Sequence, residues 1–338
     1  MTVSVSVVGA TGYAGGELIR YLAQHPDVEI ASLHGRDREG QPLANEHPHL
    51  APLNLTLRGG EPEPGVDVAF LALPSGQSAE LAVRLSGGGT TVIDIGSDLR
   101  LREASAYQAW YHLDHPAPQA LKEAVYGLTE RARDRLSGAK LVANPGCYPT
   151  AALLALAPLA AAGLINRAIV DAKSGISGAG KGASNDFLFT ELAGGTKAYG
   201  VQGHRHQPEI EQGLADAGAA EAQITFVPHL VPQSRGILAT CYVDLAEDAS
   251  PEALTSLLTD AYDGEPFVHV LESPPSTKLT WGTNHAFVHV AQPRLGMAVV
   301  LCAIDNMGKG AAGQAIQNMN VALGLRETAG LTGLAVHP

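Results

Sequence analysis

Apolar runs alternate with stretches of helical spacing through the first third of the chain. Runs rich in valine, isoleucine and leucine are typical of strands that are buried on both faces of a sheet. Between the first two runs, Leu18, Ile19 and Leu22 recur at the spacing of one helix face. The pattern predicts strands at 3–8, 28–33, 66–73 and 90–95, and helices at 15–25 and 77–85. Strands that alternate with helices indicate an α/β domain with a doubly wound parallel sheet of the Rossmann type.

The second half of the chain has longer strand patterns and fewer helices between them. We predict strands at 168–174, 222–230, 236–245, 266–272, 285–292 and 296–306. We predict helices after Cys147, at 251–261 and at 309–324. Because few helices separate the successive strands, this half is expected to form an α+β domain with a large mixed, mainly antiparallel sheet.

Charge and cysteine content narrow the class of protein. The 338 residues carry a formal net charge of −12, which argues against a nucleic-acid binder because such proteins need basic surface. Cys147, Cys241 and Cys302 are widely spaced and form no CxxC pair, so neither a disulfide framework nor a metal site is predicted. The chain starts directly in a strand pattern and has no long apolar run. We therefore expect a cytoplasmic protein that binds neither membrane nor nucleic acid.

A glycine pattern lies between the first strand and the first helix, in VVGATGYAGGEL. Gly9, Gly12 and Gly15 have the spacing G-x-x-G-x-x-G, a variant of the dinucleotide-binding fingerprint. Glycines there permit a tight turn and a close approach of the backbone to a pyrophosphate at the helix N-terminus. The predicted cofactor contacts in this segment are Gly9, Thr11, Gly12, Tyr13, Ala14 and Gly15. The alternative is a tight strand-to-helix turn that binds no ligand.

Two arginines follow the second predicted strand, in SLHGRDRE. NAD-specific proteins usually carry an acidic residue there for the ribose hydroxyls, whereas an arginine accommodates the 2′-phosphate of NADP. Arg36 and Arg38 therefore favour NADP(H), although Asp37 stands between them. The alternative is that both arginines belong to a solvated loop.

The stretch ANPGCYPTAALLALAPLAAAG places Cys147 directly before an Ala/Leu run that is typical of a helix. Proline is tolerated at the first helical position, so Pro149 predicts the helix start and puts Cys147 at its N-terminal end. The free N–H groups and the positive dipole end of a helix favour a thiolate. The alternative is a small, buried, apolar cysteine.

A second cluster, His204, Arg205 and His206, precedes Pro208, which again predicts a helix start. A thiolate nucleophile needs a nearby group that moves protons near neutral pH, and histidine does this most readily. Because the two histidines are two residues apart in a loop or extended segment, we expect their rings to point different ways. Structural or exposed histidines, and metal ligation without an evident third ligand cluster, are the alternatives.

Taken together, these motifs closely resemble the N-acetyl-γ-glutamyl-phosphate reductase family. The matching segments span nearly the whole chain in order. They are GATGYAGGEL (9–18), DIGSDLRL (94–101), ANPGCYPTA (143–151), SGISGAGKGA (174–183), GHRHQPEI (203–210), FVPHLVPQSRGI (226–237), STKLTWGTN (276–284) and DNMGKGAAGQAIQNMN (305–320). Ser75, Gly96 and Leu99 depart from the family pattern on one rim of the cofactor pocket. The Cys147 and His204–His206 motifs are unaffected.

The resemblance implies the fold of the glyceraldehyde-3-phosphate and aspartate-semialdehyde dehydrogenases. In that fold the last helix packs on the nucleotide-binding domain. This predicts an NADP-binding Rossmann domain at 1–146 plus 309–338, and a catalytic and oligomerisation domain at 147–308. The long strands of the second domain favour a homo-oligomer, a dimer or a tetramer, because exposed sheet faces and edges invite association.

The resemblance also implies the reaction: NADPH-dependent reduction of N-acetyl-γ-glutamyl phosphate to N-acetyl-glutamate 5-semialdehyde, in arginine biosynthesis. Cys147 would carry the acyl group as a thioester, and His206 or His204, with His206 favoured, would move the proton. Further candidates are Ser177, Gly178 and Asn306 for the cofactor, and Arg205, Arg235 and Lys181 for the anionic substrate.

Three alternatives to this reaction follow from the same residues. The fold could act on another acyl phosphate, either aspartyl phosphate or a carrier-protein-linked glutamyl or aminoadipyl phosphate. Cys147 and His206 could instead form the dyad of a thiol hydrolase. Cys147 could also be the sensing thiol of a non-catalytic NADP-binding redox sensor.

Overall fold

Two sheets organise the chain, one in each of two units. A computed structural model describes residues 2–182 and 184–337. The first unit is residues 1–145 with 311–332, and the second is residues 146–310 with 333–338. Residues 1, 183 and 338, which the predicted domains include, lie outside the described residues.

The predicted strands and helices occur in the predicted order. The strands are β1 (Val3–Val8), β2 (Val28–His34), β3 (Val68–Leu71), β4 (Thr91–Asp94), β5 (Val125–Tyr126), β6 (Leu141–Ala143), β7 (Ile165–Ser174), β8 (Lys197–Ala198), β9 (Gln223–Leu230), β10 (Ile237–Leu245), β11 (Val268–Val270), β12 (Ala286–Arg294) and β13 (Met297–Ile304). The α-helices are α1 (Tyr13–Leu22), α2 (Ala79–Gly87), α3 (Ala104–Tyr111), α4 (Ala120–Glu123), α5 (Thr129–Leu136), α6 (Cys147–Ala161), α7 (Phe189–Leu192), α8 (Gln207–Asp216), α9 (Pro251–Ala261) and α10 (Gly313–Ala322). To the predicted elements the structure adds β5, β6, β8, α3, α4, α5 and α7. Short 3₁₀ turns occupy Leu43–Asn45, Pro48–Leu53, Ile176–Ala179, Asn185–Phe187 and Thr277–Leu279.

The sheet of the first unit has six strands in the order β2-β1-β3-β4-β6-β5. Every pair in it is parallel. All residues of β3, β4 and β6 are buried, which explains why β3 and β6 are continuous apolar runs rather than alternating ones. The predicted Rossmann-type doubly wound fold is confirmed.

Buried polar side chains tie α10 into the first unit, although it follows the second unit in the chain. Asn318 donates to the carbonyl of Gly127 at 2.8 Å and to Asn144 Oδ1 at 3.0 Å. Thr129 Oγ1 donates to Asn318 Oδ1 at 2.7 Å. Because a buried polar group without a partner costs free energy, this network favours one position for the helix.

The sheet of the second unit has seven strands in the order β11-β12-β13-β10-β7-β9-β8. The β7–β9 and β11–β12 pairs are parallel and the others antiparallel, so the predicted mixed, mainly antiparallel sheet is confirmed. α6, buried from Tyr148 to Ala160, packs on β10 and β13. Alternate residues of β10 follow this packing, because Ala239, Cys241 and Val243 are fully buried while Tyr242 is exposed.

The start of the last helix differs from its prediction. The sequence pattern predicts one helix over 309–324, but a π-helical turn occupies Gly308–Ala312 before α10 begins. The N–H of Gly310 donates to the carbonyl of Asp305 five residues earlier at 2.9 Å, which is the π-helical pairing. Within residues 2–182 and 184–337, no helix combines the length and apolar character needed to cross a bilayer.

Candidate active site

A cavity of about 830 Å³ in the first unit opens at the glycine loop. Gly9 has φ +87°, and a Cβ there would lie 2.3 Å from the carbonyl oxygen of Ala72. A Cβ on Gly15 would lie 2.3 Å from the carbonyl oxygen of Gly9. A Cβ on Gly12 would meet nothing closer than 3.5 Å, so this glycine, which lines the cavity, leaves room for a ligand at the start of α1. The loop therefore fits the pyrophosphate of a dinucleotide.

Only some of the other predicted cofactor residues line this cavity. Arg36 lines the same cavity and donates to Gln77 Oε1. Arg38 is absent from the described residues that line the cavity, and its Nε lies 3.2 Å from Glu46 Oε1. Tyr13, Ala14 and Gly15 form the first turn of α1.

Ser177, Gly178 and Asn306 lie in the second unit. There the Asn306 amide donates to Ser177 Oγ at 2.9 Å and accepts the N–H of Gly236 at 2.7 Å. Gly178 approaches the same amide, since a Cβ on it would lie 3.3 Å from Asn306 Nδ2. The three residues thus form one local cluster.

Cys147 is the first residue of α6, two residues before the start that Pro149 predicts. Two hydrogen bonds fix the backbone of Gly146, the residue before it. The N–H of Gly146 donates to Oε1 of the fully buried Glu209 at 2.8 Å, and the carbonyl of Gly146 accepts the N–H of Thr150 at 2.9 Å. The N-terminal position favours the thiolate form of the cysteine.

The other two cysteines have a different environment from Cys147. Cys147 is partly exposed, whereas Cys241 and Cys302 are buried in strands. Burial, with a smaller contribution from Asp171, raises the pKa of Cys241 to about 12. Its thiol therefore stays protonated at neutral pH.

Gly310 packs directly against the candidate nucleophile. A Cβ on Gly310 would lie 2.8 Å from Cys147 Cβ and 3.2 Å from the carbonyl oxygen of Asp305. Asp305 is fully buried and accepts the N–H groups of Met307, Gly308 and Gly282. These bonds fix the turn that carries Gly310, so the only side chain that fits beside Cys147 there is a hydrogen atom.

Gly310→Ala is therefore expected to displace Cys147 and to lower kcat by roughly 10²-fold, the usual cost of about 1 Å of misplacement at a reacting group. Gly195→Ala is the matched control, because a Cβ on Gly195 meets only the carbonyl of Glu191 at 3.8 Å. Steady-state kinetics with both variants test this. Equal activity of the two would show that the contact with Cys147 is not needed.

The two histidines of the second cluster face the same place. Their ring centroids are 4.9 Å apart, and they lie 6.0 Å (His204) and 5.8 Å (His206) from the ring of Tyr148. The prediction that the rings point different ways is wrong. His206 is the N-cap residue of α8 and its backbone is in the αR region, so the segment turns instead of extending. The N–H of His206 also donates to Nδ1 of His204 at 3.1 Å.

His204 is neutral near physiological pH. Burial, together with the positive charge of Arg205, lowers its pKa to about 4. Because Nδ1 accepts the N–H of His206, the ring proton of the neutral form sits on Nε2. A neutral histidine that donates from Nε2 can bind an oxygen of a substrate, but it does not titrate at the pH where most enzymes work.

The lowered pKa of His204 predicts a specific loss of stability in acid. In the unfolded chain His204 has a pKa of about 6.5, so below this pH its ring takes up a proton. In the folded protein the ring does not accept that proton until about pH 4. Stability therefore falls as the pH drops through this window. His204→Gln should lose about 1.5 kcal/mol less than the wild type between pH 6.5 and 5. Urea unfolding at several pH values, with the exposed His49→Gln as control, measures the difference; parallel curves would contradict it.

Two tyrosines complete the histidine cluster. Tyr199 donates its hydroxyl proton to the Tyr148 hydroxyl at 3.0 Å, and Tyr148 donates to the carbonyl of His229 at 3.3 Å. Burial raises the pKa of Tyr148 and raises that of Tyr199 to about 12. Both phenols are therefore neutral groups that shape the site.

A cavity of about 340 Å³ in the second unit brings the candidate catalytic residues together. Its polar lining includes Cys147, His204, Arg205, His206, Lys197 and Tyr199. Sequence reasoning singled out neither Lys197 nor Tyr199, since GGTKAYG resembles an ordinary glycine-rich loop. A thiol at a helix N-terminus, two histidines and two cations suit acyl transfer from an anionic substrate.

The other predicted substrate cations lie elsewhere. Neither Arg235 nor Lys181 is among the described residues that line the cavity. Arg235 Nε lies 2.9 Å from Oδ2 of the buried Asp305, so it compensates the charge of the carboxylate that fixes the Gly310 turn. In the part of the chain that the structure describes, no three histidine, cysteine or acidic side chains are grouped so as to hold a metal ion.

Two family models match the chain. Residues 4–139 match the semialdehyde dehydrogenase NAD binding domain, and residues 147–306 match the semialdehyde dehydrogenase dimerisation domain. A protein of Heliobacterium modesticaldum named N-acetyl-gamma-glutamyl-phosphate reductase is 45% identical over 350 residues, which cover 99% of this chain and 100% of that protein. The chain belongs to this reductase family.

Other relatives and solved structures agree. A reductase of the same name from Symbiobacterium thermophilum is 48% identical over 340 residues, with 98% of both chains covered. Among solved structures, aspartate semialdehyde dehydrogenase II of Vibrio cholerae, complexed with ASA, has a TM-score of 0.72 at 17% identity over 95% of this chain and 98% of that one. The aspartate semialdehyde dehydrogenase of Candida albicans, solved with NADP, has a TM-score of 0.66 at 17% identity, again over 95% and 98%. At identities of 17%, this likeness shows that the chain shares the fold of these two dehydrogenases.

Proposed function

We propose that the protein reduces N-acetyl-γ-glutamyl phosphate to N-acetyl-glutamate 5-semialdehyde, with release of phosphate. This reaction is a step of arginine biosynthesis, and we place it in the cytoplasm. Nearly full-length identity of 45–48% to reductases of that name carries the proposal. The grouping of Cys147, His204, Arg205 and His206 around one cavity supports it.

Cys147 acts as the nucleophile. Its thiolate attacks the γ-acyl carbon, the bond from that carbon to the phosphate oxygen breaks, and phosphate leaves with the electron pair. The acyl group then remains on Cys147 as a thioester. An acyl phosphate is already activated, so this step needs neither ATP nor a metal ion. The N-terminal dipole of α6 favours both the thiolate and the negative charge that develops on the acyl oxygen.

His206 moves the proton of the second half-reaction. A bound nicotinamide cofactor supplies the two electrons, as a hydride, that reduction of the acyl group to an aldehyde requires. The oxygen that becomes negative in this step needs a proton donor, and the same proton is removed when the aldehyde leaves Cys147. His206 lines the same cavity as Cys147 and is held as the N-cap residue at the start of α8. The neutral His204, whose Nδ1 accepts the N–H of His206, would instead donate a hydrogen bond from Nε2 to an oxygen of the substrate.

Arg205 and Lys197 bind the anionic ends of the substrate, because both line the cavity that holds Cys147. Lys181 remains a candidate from sequence that does not line this cavity, and we give Arg235 the structural role of holding Asp305. We assign catalysis and oligomerisation to residues 147–308 and cofactor binding to 1–146 plus 309–338.

We infer that the protein forms a homodimer or homotetramer through the face of the second sheet opposite α6. Ile169, Tyr242 and Met297 line a cavity of about 500 Å³ there, on the neighbouring strands β7, β10 and β13. Partly exposed apolar side chains in the middle of a sheet are stabilised when a second copy covers them. Sedimentation equilibrium is expected to give at least two chains per particle, and a monomer at micromolar concentration would overturn this.

We also infer that the cofactor is NADP(H). Arg36 supports this, because it lines the glycine-loop cavity and its side-chain partner Gln77 is uncharged. Its positive charge is therefore suited to the 2′-phosphate.

Arg36→Ala should weaken NADPH binding by about 10- to 100-fold, the scale of one lost charge-assisted hydrogen bond. NADH, which lacks the phosphate, should bind with nearly unchanged affinity. Arg38→Ala is the matched control and should have a small effect on both, because Arg38 pairs with Glu46 outside the cavity lining. Fluorescence titration of the reduced cofactors measures the four constants. Equal losses for NADPH and NADH in Arg36→Ala would remove the basis for NADP preference.

The reverse reaction tests the substrate assignment. NADP⁺, phosphate and free N-acetyl-glutamate 5-semialdehyde are expected to give NADPH without any carrier protein. Aspartate semialdehyde, offered under the same conditions, distinguishes the main alternative substrate. A higher kcat/KM with aspartate semialdehyde, or activity only with a carrier-linked substrate, would replace the proposed substrate.

A further inference from the structure

The cofactor cavity of the first unit holds an arginine that sequence reasoning did not single out. Arg84 lines the cavity on α2, together with Glu80 and Leu81 of the same helix. Glu80 and Leu81 precede Arg84 by four and three positions, so both are neighbours of Arg84 on the helix face that borders the cavity. Arg36 lines the cavity as well, and Arg38 is not among its described lining residues.

The N-terminus of α2 is already occupied by a carboxylate. Asp98, which is buried, accepts the N–H groups of Gly76, Ser78 and Ala79 at 2.7, 2.9 and 3.2 Å. A phosphate at this wall therefore has to be bound by side chains rather than by free N–H groups of the helix. Arg36 and Arg84 are the arginines among the described residues that line the cavity, and no lysine is among them.

We propose that Arg84 is the second cation, beside Arg36, that binds the 2′-phosphate of NADP(H), and that Glu61 competes with this phosphate for Arg84. This inference rests on the proposed preference for NADP(H). It replaces the sequence-based pairing of Arg36 with Arg38, and it identifies Glu61 as the residue that limits how strongly NADP(H) is preferred over NAD(H).

The partners of the two arginines support different roles. Arg36 donates to the uncharged amide of Gln77, which leaves its charge uncompensated by that partner. Arg84 forms an ion pair with Glu61, and both side chains are about half exposed, at 54% and 56%. An exposed pair of this kind is weak, so a phosphate that carries close to two negative charges can take the place of the carboxylate.

Glu61 is held at the edge of the cavity by its neighbours. His34 Nδ1 lies 3.1 Å from the carbonyl oxygens of both Gly59 and Gly60, which only accept hydrogen bonds, so Nδ1 is the protonated nitrogen. This anchors the segment that leads into Glu61 to the end of β2. Glu61 and Glu80 balance the charges of Arg36 and Arg84 in the lining. Removing the charge of Glu61 therefore leaves the site more positive toward a phosphate.

Calorimetric titration with adenosine 2′,5′-bisphosphate and with AMP isolates the contribution of the 2′-phosphate, and NADPH and NADH are titrated beside them. Arg84→Gln is expected to weaken the bisphosphate and NADPH by roughly tenfold, and AMP and NADH by less than about twofold. Arg84→Lys, which keeps the charge, should retain part of the preference. Glu61→Gln should strengthen the bisphosphate and NADPH by roughly threefold. Arg131→Gln, an exposed arginine of α5 outside the cavity lining, is the control.

Equal weakening of all four ligands by Arg84→Gln would overturn the proposal, since it would indicate contact with the adenine or loss of the fold. Unchanged affinities, or weaker NADPH binding in Glu61→Gln, would overturn it as well. If the wild type itself binds NADPH no better than NADH, the cofactor assignment fails first. If the wild type prefers NADPH and Arg36→Ala removes the preference while Arg84→Gln does not, only the role of Arg84 fails.

Discussion

Cys147→Ser is expected to lower kcat by at least about 10³-fold, while the fold and NADPH binding stay intact. A serine hydroxyl remains protonated where a thiol at a helix N-terminus ionises, so the variant lacks the nucleophile but keeps nearly the same volume. Cys147 is not part of the buried face of α6, because the run of buried residues begins at Tyr148. Steady-state kinetics and a cofactor titration measure the two properties separately.

Cys241→Ala is the control for this prediction. Its thiol is fully buried in β10 and has a pKa of about 12, so it reacts slowly and its removal should leave kcat within about twofold. Iodoacetamide at neutral pH should modify Cys147 first and abolish activity in step with that modification. Activity that survives complete alkylation of Cys147 would contradict its role.

His206→Ala is expected to lower kcat by roughly 10²–10⁴-fold and to remove one limb of the pH–rate profile, as loss of a general acid–base group does. His204→Ala should act mainly on KM and leave the shape of the profile unchanged. The reason is that the pKa of His204 is lowered to about 4, so this ring does not change its charge across the working range. pH–rate profiles of both variants, measured from pH 5 to 9, separate the roles.

The opposite assignment would have a distinct signature. If His204→Ala loses a limb and His206→Ala keeps the wild-type profile, the roles of the two rings are exchanged. Because the rings are 4.9 Å apart and both contact Tyr148, each variant also needs a check of the other ring's environment by NMR. Full activity in both variants would mean that the proton comes from another group.

The local features that form the site could be predicted from sequence because they depend on neighbours in the chain. Gly9, Gly12 and Gly15 mark a turn between a strand and a helix, and the structure places them there. The Ala/Leu run after Cys147 predicts α6 within two residues of its start. The runs at 66–73 and 90–95 predict buried parallel strands for the same reason, since β3 and β4 have no solvated face.

Pairings between distant residues could not be predicted in this way. Arg235 and Asp305 are 70 positions apart, and no local pattern indicates that one compensates the other's charge. For a similar reason the sequence did not indicate that Arg38 pairs with Glu46, or that Arg84 lines the cofactor cavity beside its partner Glu61. The shared orientation of His204 and His206 depends on the turn into α8, which spacing alone does not reveal.

A single-turnover experiment without phosphate tests the central claim most directly. The protein is mixed with NADP⁺ and excess N-acetyl-glutamate 5-semialdehyde, and both NADPH and the mass of the chain are followed. The account predicts a burst of close to one NADPH per chain, an N-acetylglutamyl group on the peptide that contains Cys147, and sustained turnover once phosphate is added. Sustained NADPH formation without phosphate, or a burst that leaves Cys147 unmodified, would contradict it.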